Sequence, residues 1–134
     1  NLKIKSSIKS GLKIIFCIGE TLKERREKKT NQVLKRQIEK GLKSIKNKSK
    51  IILAYEPVWS IGTGVIPKEE TLTKTISFIK SRFLKKYPKI LYGGSVNGNN
   101  VEKLKKIPNI DGFLIGGASQ NPKKFIDIIK KTIN

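Results

Sequence analysis

Glu56 is a carboxylate set between an apolar run, Ile51 to Tyr55, and Pro57, which removes the next ladder donor and ends any strand there. Val58, Trp59, Ser60 and Ile61 follow, largely apolar, and lead to a glycine-rich tip at Gly62, Thr63 and Gly64. A carboxylate at the carboxyl end of a strand, beneath a loop of this kind, suits a general base that works under a closing lid. Closure would strip water from Glu56, raise its proton affinity and strengthen every nearby electrostatic interaction. The plainer reading of a lone glutamate at a strand end is a solvated or ion-paired group. The apolar loop with Trp59 and Ile61 favours chemistry.

Two more stretches suit an anion. Gly93-Gly94-Ser95 and Gly116-Gly117 each end an apolar run and precede a helical pattern. Without Cβ atoms their amides can approach a phosphate closely, and a helix after Gly117 would aim its positive end at it. One such turn is ordinary turn chemistry; two on the same face beside a third glycine loop put a phosphate site on an equal footing with plain tight turns. There is no GxGxxG fingerprint or phosphate-loop lysine motif, which disfavours a nucleotide. The chain has no histidine, which excludes Ser-His and Cys-His pairs and histidine metal sites. Cys17 lies within an apolar run and reads as core, not nucleophile. No metal site is expected.

The elements that must position these residues alternate. Leu2 to Ser10 reads as the tail of an amphipathic helix through Leu2, Ile4 and Ile8, stopped at Gly11. Leu12 to Ile18 reads as a strand too continuously apolar to be wet on one face. Gly19-Glu20-Thr21 breaks it, and Thr21 with Glu24 forms a capping box. A longer helix is expected from about Thr30 to Ile45, through Val33, Leu34, Ile38, Leu42 and Ile45. After the strand and loop around Glu56, Pro67 fits a first helical turn, with Glu69 and Glu70 at its positive end. That helix carries Leu72, Ile76, Ile79, Phe83 and Leu84 and stops near Tyr87-Pro88. A strand at Lys89 to Tyr92, a helix around Asn100 to Lys106, a strand at Asp111 to Ile115 and a helix at about Pro122 to Thr132 complete the chain. The last is amphipathic through Phe125, Ile126, Ile129 and Ile133. Strands alternating with helices imply an α/β fold with a parallel sheet, helices on the outside, and every strand's carboxyl end on one side.

Composition limits the remaining options. At 134 residues the chain suffices for a single domain, residues 1–134, with its own core. Thirty basic residues against ten acidic ones give a net charge of +20, which raises the possibility of a nonspecific polyanion binder. The lysines are spread along the whole length without interleaved aromatics, so a solvated surface is favoured over specific nucleic-acid binding. No apolar run is long enough to span a membrane and no signal peptide is seen, so a cytoplasmic protein is expected. One cysteine excludes an intrachain disulfide. The chain begins at Asn1 inside a helical pattern, which is expected of a piece of something longer.

Ala54 to Gly64, Tyr92 to Val96 and Gly112 to Ser119 closely resemble three signatures of the triose-phosphate isomerase family, and Cys17 to Leu22 resembles a fourth. They stand in the family's order over essentially the whole chain. The resemblance implies a parent with a (β/α)8 TIM barrel, of which this is the carboxyl-terminal, four-stranded parallel half barrel. It implies an isomerase of glycolysis and gluconeogenesis that interconverts dihydroxyacetone phosphate and glyceraldehyde 3-phosphate, homodimeric when complete and without a cofactor.

By the same resemblance Glu56 is the base, and Gly62, Ser95, Gly116 and Gly117 hold the substrate phosphate. Pro57, Val58, Trp59, Ile61, Thr63 and Gly64 belong to the lid, Ile61 and Leu114 clamp the carboxylate, Tyr92 and Ser95 hold the closed lid, and Glu20 receives the Trp59 indole N–H. Loop closure over a strand-end base is behaviour this family is known for, so the resemblance implies it as well. The sequence departs from the pattern at Ser60, where the family usually has alanine, and at Pro67, which should stiffen the second hinge. The family's electrophilic lysine and its histidine belong to the other half of the barrel, so these 134 residues alone should turn over very slowly. Both outer strands should present open edges. A noncatalytic phosphate-binding half barrel is the alternative.

Overall fold

The apolar runs become four strands because each must satisfy its backbone groups on neighbouring chains while burying its side chains. They are β1 (Ile14–Ile18), β2 (Ile51–Tyr55), β3 (Ile90–Tyr92) and β4 (Gly112–Phe113). The computed structural model describes residues 1–83 and 89–133, with nothing taken from the side chains of Arg82 and Phe83. The four strands are parallel and lie in the order β1-β2-β3-β4. Register aligns Cys17, Ala54, Leu91 and Gly112 in one row and Ile18, Tyr55, Tyr92 and Phe113 in the next. Consequently Gly19, Glu56, Gly93 and Leu114, the residues just past the strands, share one rim.

Helices α1 (Leu2–Lys9), α2 (Leu22–Arg26), α3 (Thr30–Gly41), α4 (Glu69–Phe83), α5 (Val101–Leu104) and α6 (Pro122–Ile133) connect and flank the strands. Leu34, Ile38, Leu72, Ile76 and Ile79 pack with Leu53, Tyr55, Ile90 and Tyr92 in one core. Each fully buried aliphatic side chain there contributes about 2 kcal/mol. This architecture is half of a (β/α) barrel.

The opposite face of the sheet differs from the sequence expectation. Strand β1 was expected to be buried on both faces, yet Ile15 is 48% exposed and Cys17 is exposed. Side chains alternate along a strand, and only the face carrying Phe16 and Ile18 meets helices. Likewise α6 turns Phe125, Ile126, Ile129 and Ile133 to the surface, and the residue it buries is Ile128. Among the described residues no strand pairs with the outer edge of β4, and that helix's apolar flank is uncovered. Leu2 is also exposed, leaving Ile4 as the buried residue of α1.

Helix α3 ends at Gly41 and not near Ile45. Ser44 adopts φ 63, a left-handed conformation, and the Asn1 side-chain amide donates to the carbonyls of Gly41 (2.8 Å) and Lys43 (2.9 Å), which satisfies the helix end. Gly41 also lets α3 approach β1, since a Cβ there would run into the Phe16 ring. Helix α4 begins at Glu69, so Pro67 precedes the first turn and does not sit within it. The expected helix end near Tyr87-Pro88, the contact of Leu84 and that of the Phe83 side chain lie outside the described residues. No helix among the described residues is long and apolar enough to cross a membrane.

Candidate active site

Glu56 keeps its place in the ladder although β2 has ended: its N–H donates to Ile18 O at 2.7 Å. Pro57 then turns the chain, and the Val58 N–H reaches Glu20 O at 3.0 Å. Gly19 makes this crossing possible, because a Cβ there would collide with the Glu56 carbonyl. The Gln37 side chain fixes Gly19 in turn, accepting from its N–H and donating to its carbonyl, both at 2.9 Å.

The half-buried Glu56 side chain lies over Gly93: a Cβ on Gly93 would be 2.6 Å from Glu56 Cγ and 2.8 Å from Oε1. On the other side lies Cys17. Partial burial of its thiol, then the hydrogen bond and negative charge of Glu56, push Cys17 up to about 12 from an ordinary 9.0. The cysteine is therefore neutral beside the carboxylate, and it is exposed on the open sheet face, where the sequence had suggested core.

The loop after Glu56 makes one 3-10 turn, Val58–Ser60, and returns through Gly62 (φ 70) and Gly64 (φ 78). Both glycines take left-handed backbone that other residues adopt at a cost, so the tight return is written into the sequence. Trp59 is anchored at the lid's base. Its indole N–H donates to Glu20 Oε1 at 3.0 Å, and Glu20 is 0% exposed.

Two partners of Glu20 were not foreseen. The Tyr55 hydroxyl donates at 3.1 Å, and the Arg25 guanidinium pairs at 3.3 Å while lying 4.4 Å over the Trp59 ring. Burial and then Glu20 hold the Tyr55 phenol far above its usual range, so it stays a donor. Tyr55 was detectable in principle, since alternation puts it on the face opposite Glu56. Arg25 carried no such signal. It reaches Glu20 from α2, whose start is fixed by the Thr21–Glu24 capping box.

The far arm of the lid meets the turn after β3. Gly64 N–H donates to Ser95 Oγ at 2.9 Å, and Ser95 Oγ donates to Ser60 O at 2.7 Å. The Tyr92 hydroxyl lies 3.2 Å from Ser60 Oγ. Burial raises the Tyr92 phenol as well, which keeps it protonated.

Here the two glycines serve differently from what the sequence suggested. The Cβ space of Gly93 is filled by Glu56, and that of Gly94 by the hydroxyls of Tyr92 and Ser60. They admit protein side chains. By contrast, Gly116 and Gly117 open onto free space, where a Cβ would meet nothing within 4 Å. A 3-10 turn, Gly117–Gln120, follows them in place of a direct entry into α6.

Thus Glu56, Glu20, Trp59, Gly64, Tyr92 and Ser95 are brought together by direct contacts around the rim. Val58, Ile61, Gly62 and Thr63 form the exposed outer part of the lid. Leu114 is half-buried, its N–H on Tyr92 O at 3.0 Å, and Gly116 and Gly117 follow on the same rim.

A parallel β/α half barrel whose strand ends carry a carboxylate, a hydrogen-bonded lid and open glycine turns is the layout of a barrel enzyme's catalytic face. The family model for triosephosphate isomerase matches residues 1–132. The chain is 46% identical over 136 residues to a triosephosphate isomerase of Thermodesulfovibrio yellowstonii, covering 97% of this chain and 55% of that protein. It is 46% identical over 130 residues to that of Mycoplasma mobile (97% and 53%), and 44% identical over 138 residues to that of Candida albicans (98% and 55%). The chain belongs to the triosephosphate isomerase family, and it spans about half the length of the curated relatives it matches.

Proposed function

We propose that these residues form one domain, the carboxyl-terminal half of a triosephosphate isomerase barrel, and that Glu56 is its catalytic base. In the complete barrel Glu56 takes a proton from one carbon of dihydroxyacetone phosphate and returns it to the neighbouring carbon, giving glyceraldehyde 3-phosphate through an enediolate. The amides of Gly62, Ser95, Gly116 and Gly117 grip the phosphate; at Ser95 the N–H exchanges its 3.3 Å bond to Ser60 Oγ for a phosphate oxygen. Ile61 and Leu114 close over the carboxylate, and the lid keeps water out while the enediolate exists, so that it does not shed its phosphate. Base and electrophile only move a proton, so the reaction needs no cofactor.

The observation that carries this reading is the seat of Glu56 on Gly93, at the foot of the same turn whose Tyr92 and Ser95 hold the lid. The electrophile that stabilises the enediolate oxygen is assigned to a lysine and a histidine of the amino-terminal half; these 134 residues contain no histidine. The complete enzyme is a cytoplasmic homodimer in this reading. The test is turnover of dihydroxyacetone phosphate by this chain, alone and joined to the amino-terminal half of a relative. The joined protein is expected to turn over and the chain alone to be nearly inactive. Glu56→Gln in the joined protein should abolish turnover while leaving inorganic phosphate binding intact. Turnover surviving Glu56→Gln refutes the assignment.

A further inference from the structure

Ser60 is 0% exposed, and its hydroxyl uses every hydrogen-bonding position it has. Its Oγ lies 2.6 Å from the carbonyl of Val65, which can only accept, so the Ser60 proton is committed there. The Tyr92 hydroxyl at 3.2 Å must then donate to Oγ, and the Ser95 N–H donates to it at 3.3 Å. One donation and two acceptances saturate a hydroxyl. The first bond closes the lid on itself across Ile61 to Gly64; the other two tie that closed loop to the turn after β3. Gly94 makes room for the arrangement, since a Cβ there would lie 2.6 Å from Ser60 Oγ. The second hinge carries Pro67, which has no N–H to offer a partner.

We propose that Ser60 is a positioning residue that latches the lid, its hydroxyl joining the return arm at Val65 to Tyr92 and, until phosphate takes the Ser95 N–H, to Ser95 beside the seat of Glu56. The effect on catalysis rests on the isomerase reading. The latch itself is a property of the lid and is measurable without turnover. Replacing Ser60 by alanine leaves the Val65 carbonyl, the Tyr92 hydroxyl and the Ser95 N–H without this partner, and the lid should open more often.

The test is amide hydrogen exchange in this chain. Ser60→Ala should speed exchange at Gly64 at least about tenfold, the low end for three lost hydrogen bonds, with Leu53 unchanged. Tyr92→Phe should speed it less, and the double variant should add little to Ser60→Ala, as expected for two ends of one bond. Unaltered exchange at Gly64, or simple additivity, overturns the latch. If the alanine variant does not fold, Ser60→Cys, of similar size but a weak hydrogen-bonding group, should give the same acceleration or sink the proposal. In the joined barrel, kcat should fall about tenfold with Ser60→Ala, because the lid then covers the enediolate for less of the time. An unchanged kcat removes the positioning role. Glu56→Gln is the separate arm: turnover surviving it defeats the isomerase reading, whereas an unmoved Gly64 amide in Ser60→Ala defeats the latch.

Discussion

Glu56 and Gly93 fit together because one of them has no side chain. The carboxylate arm at the end of β2 occupies the volume that a Cβ on the next strand's turn would take, within 2.6 Å of Glu56 Cγ. A carboxylate packed against backbone in this way has its direction set by the glycine's missing side chain, with the Cys17 thiol as its neighbour on β1.

Gly93→Ala should therefore damage catalysis more than folding. The methyl meets the Glu56 side chain, at Cγ first, which can swing aside because it is flexible and half-buried, so the stability cost should stay near 1 kcal/mol. Turnover in the joined barrel should fall about a hundredfold, the usual penalty for displacing a reacting group by an ångström. Parallel urea melts and kinetics separate the two effects.

Glu20→Ala should act the other way. It strips three donors, Trp59, Tyr55 and Arg25, of a shared buried acceptor, and about 3 kcal/mol of stability should be lost. The emission of Trp59, the only tryptophan in the chain, should shift to the red as its indole gains water. Unchanged stability and emission together would show that the network is decorative.

Cys17 offers a pH test of the Glu56 environment. With its thiol pushed up to about 12, exposed Cys17 should react slowly with iodoacetamide at pH 8. Glu56→Gln removes a charge that disfavours the thiolate, so labelling at fixed pH should accelerate. Burial, the larger cause, remains, and the rate should not reach that of a free thiol. The linkage sign follows from the raised value: the unfolded chain releases this proton first, near 9.0, so the contribution to stability is present below that pH and is lost as pH rises toward about 12.

Adjacent residues of α6 should differ sharply. Ile128 is 2% exposed and Ile128→Ala should cost about 3 kcal/mol. Ile129, 39% exposed on the rim of an apolar groove of about 460 Å³ between β4 and α6, should cost less than about 1 kcal/mol when replaced by alanine. Chemical denaturation of the two variants decides whether that flank is open in solution.

Much of the fold was legible because strand and turn signals are local. An apolar run ended by glycine or by Glu-Pro stops where its own residues stop it, and parallel order follows from strand–helix alternation. The boundaries that moved did so through distant contacts. Asn1 reaches across to bond the carbonyls at the end of α3, and Phe125, Ile126 and Ile129 lie uncovered beside β4.

For the site, the sequence by itself determined which residues were available: one carboxylate behind a proline, a lid with two positive-φ glycines, and glycine turns on the same rim. Only the tertiary structure decided what those glycines are for. Gly93 and Gly94 give their volume to Glu56, Tyr92 and Ser60, while Gly116 and Gly117 stay open. The reason is physical. A missing Cβ is a local fact, but what fills the space depends on side chains from other strands, whose positions are set by sheet register and by the packing of the helices outside it.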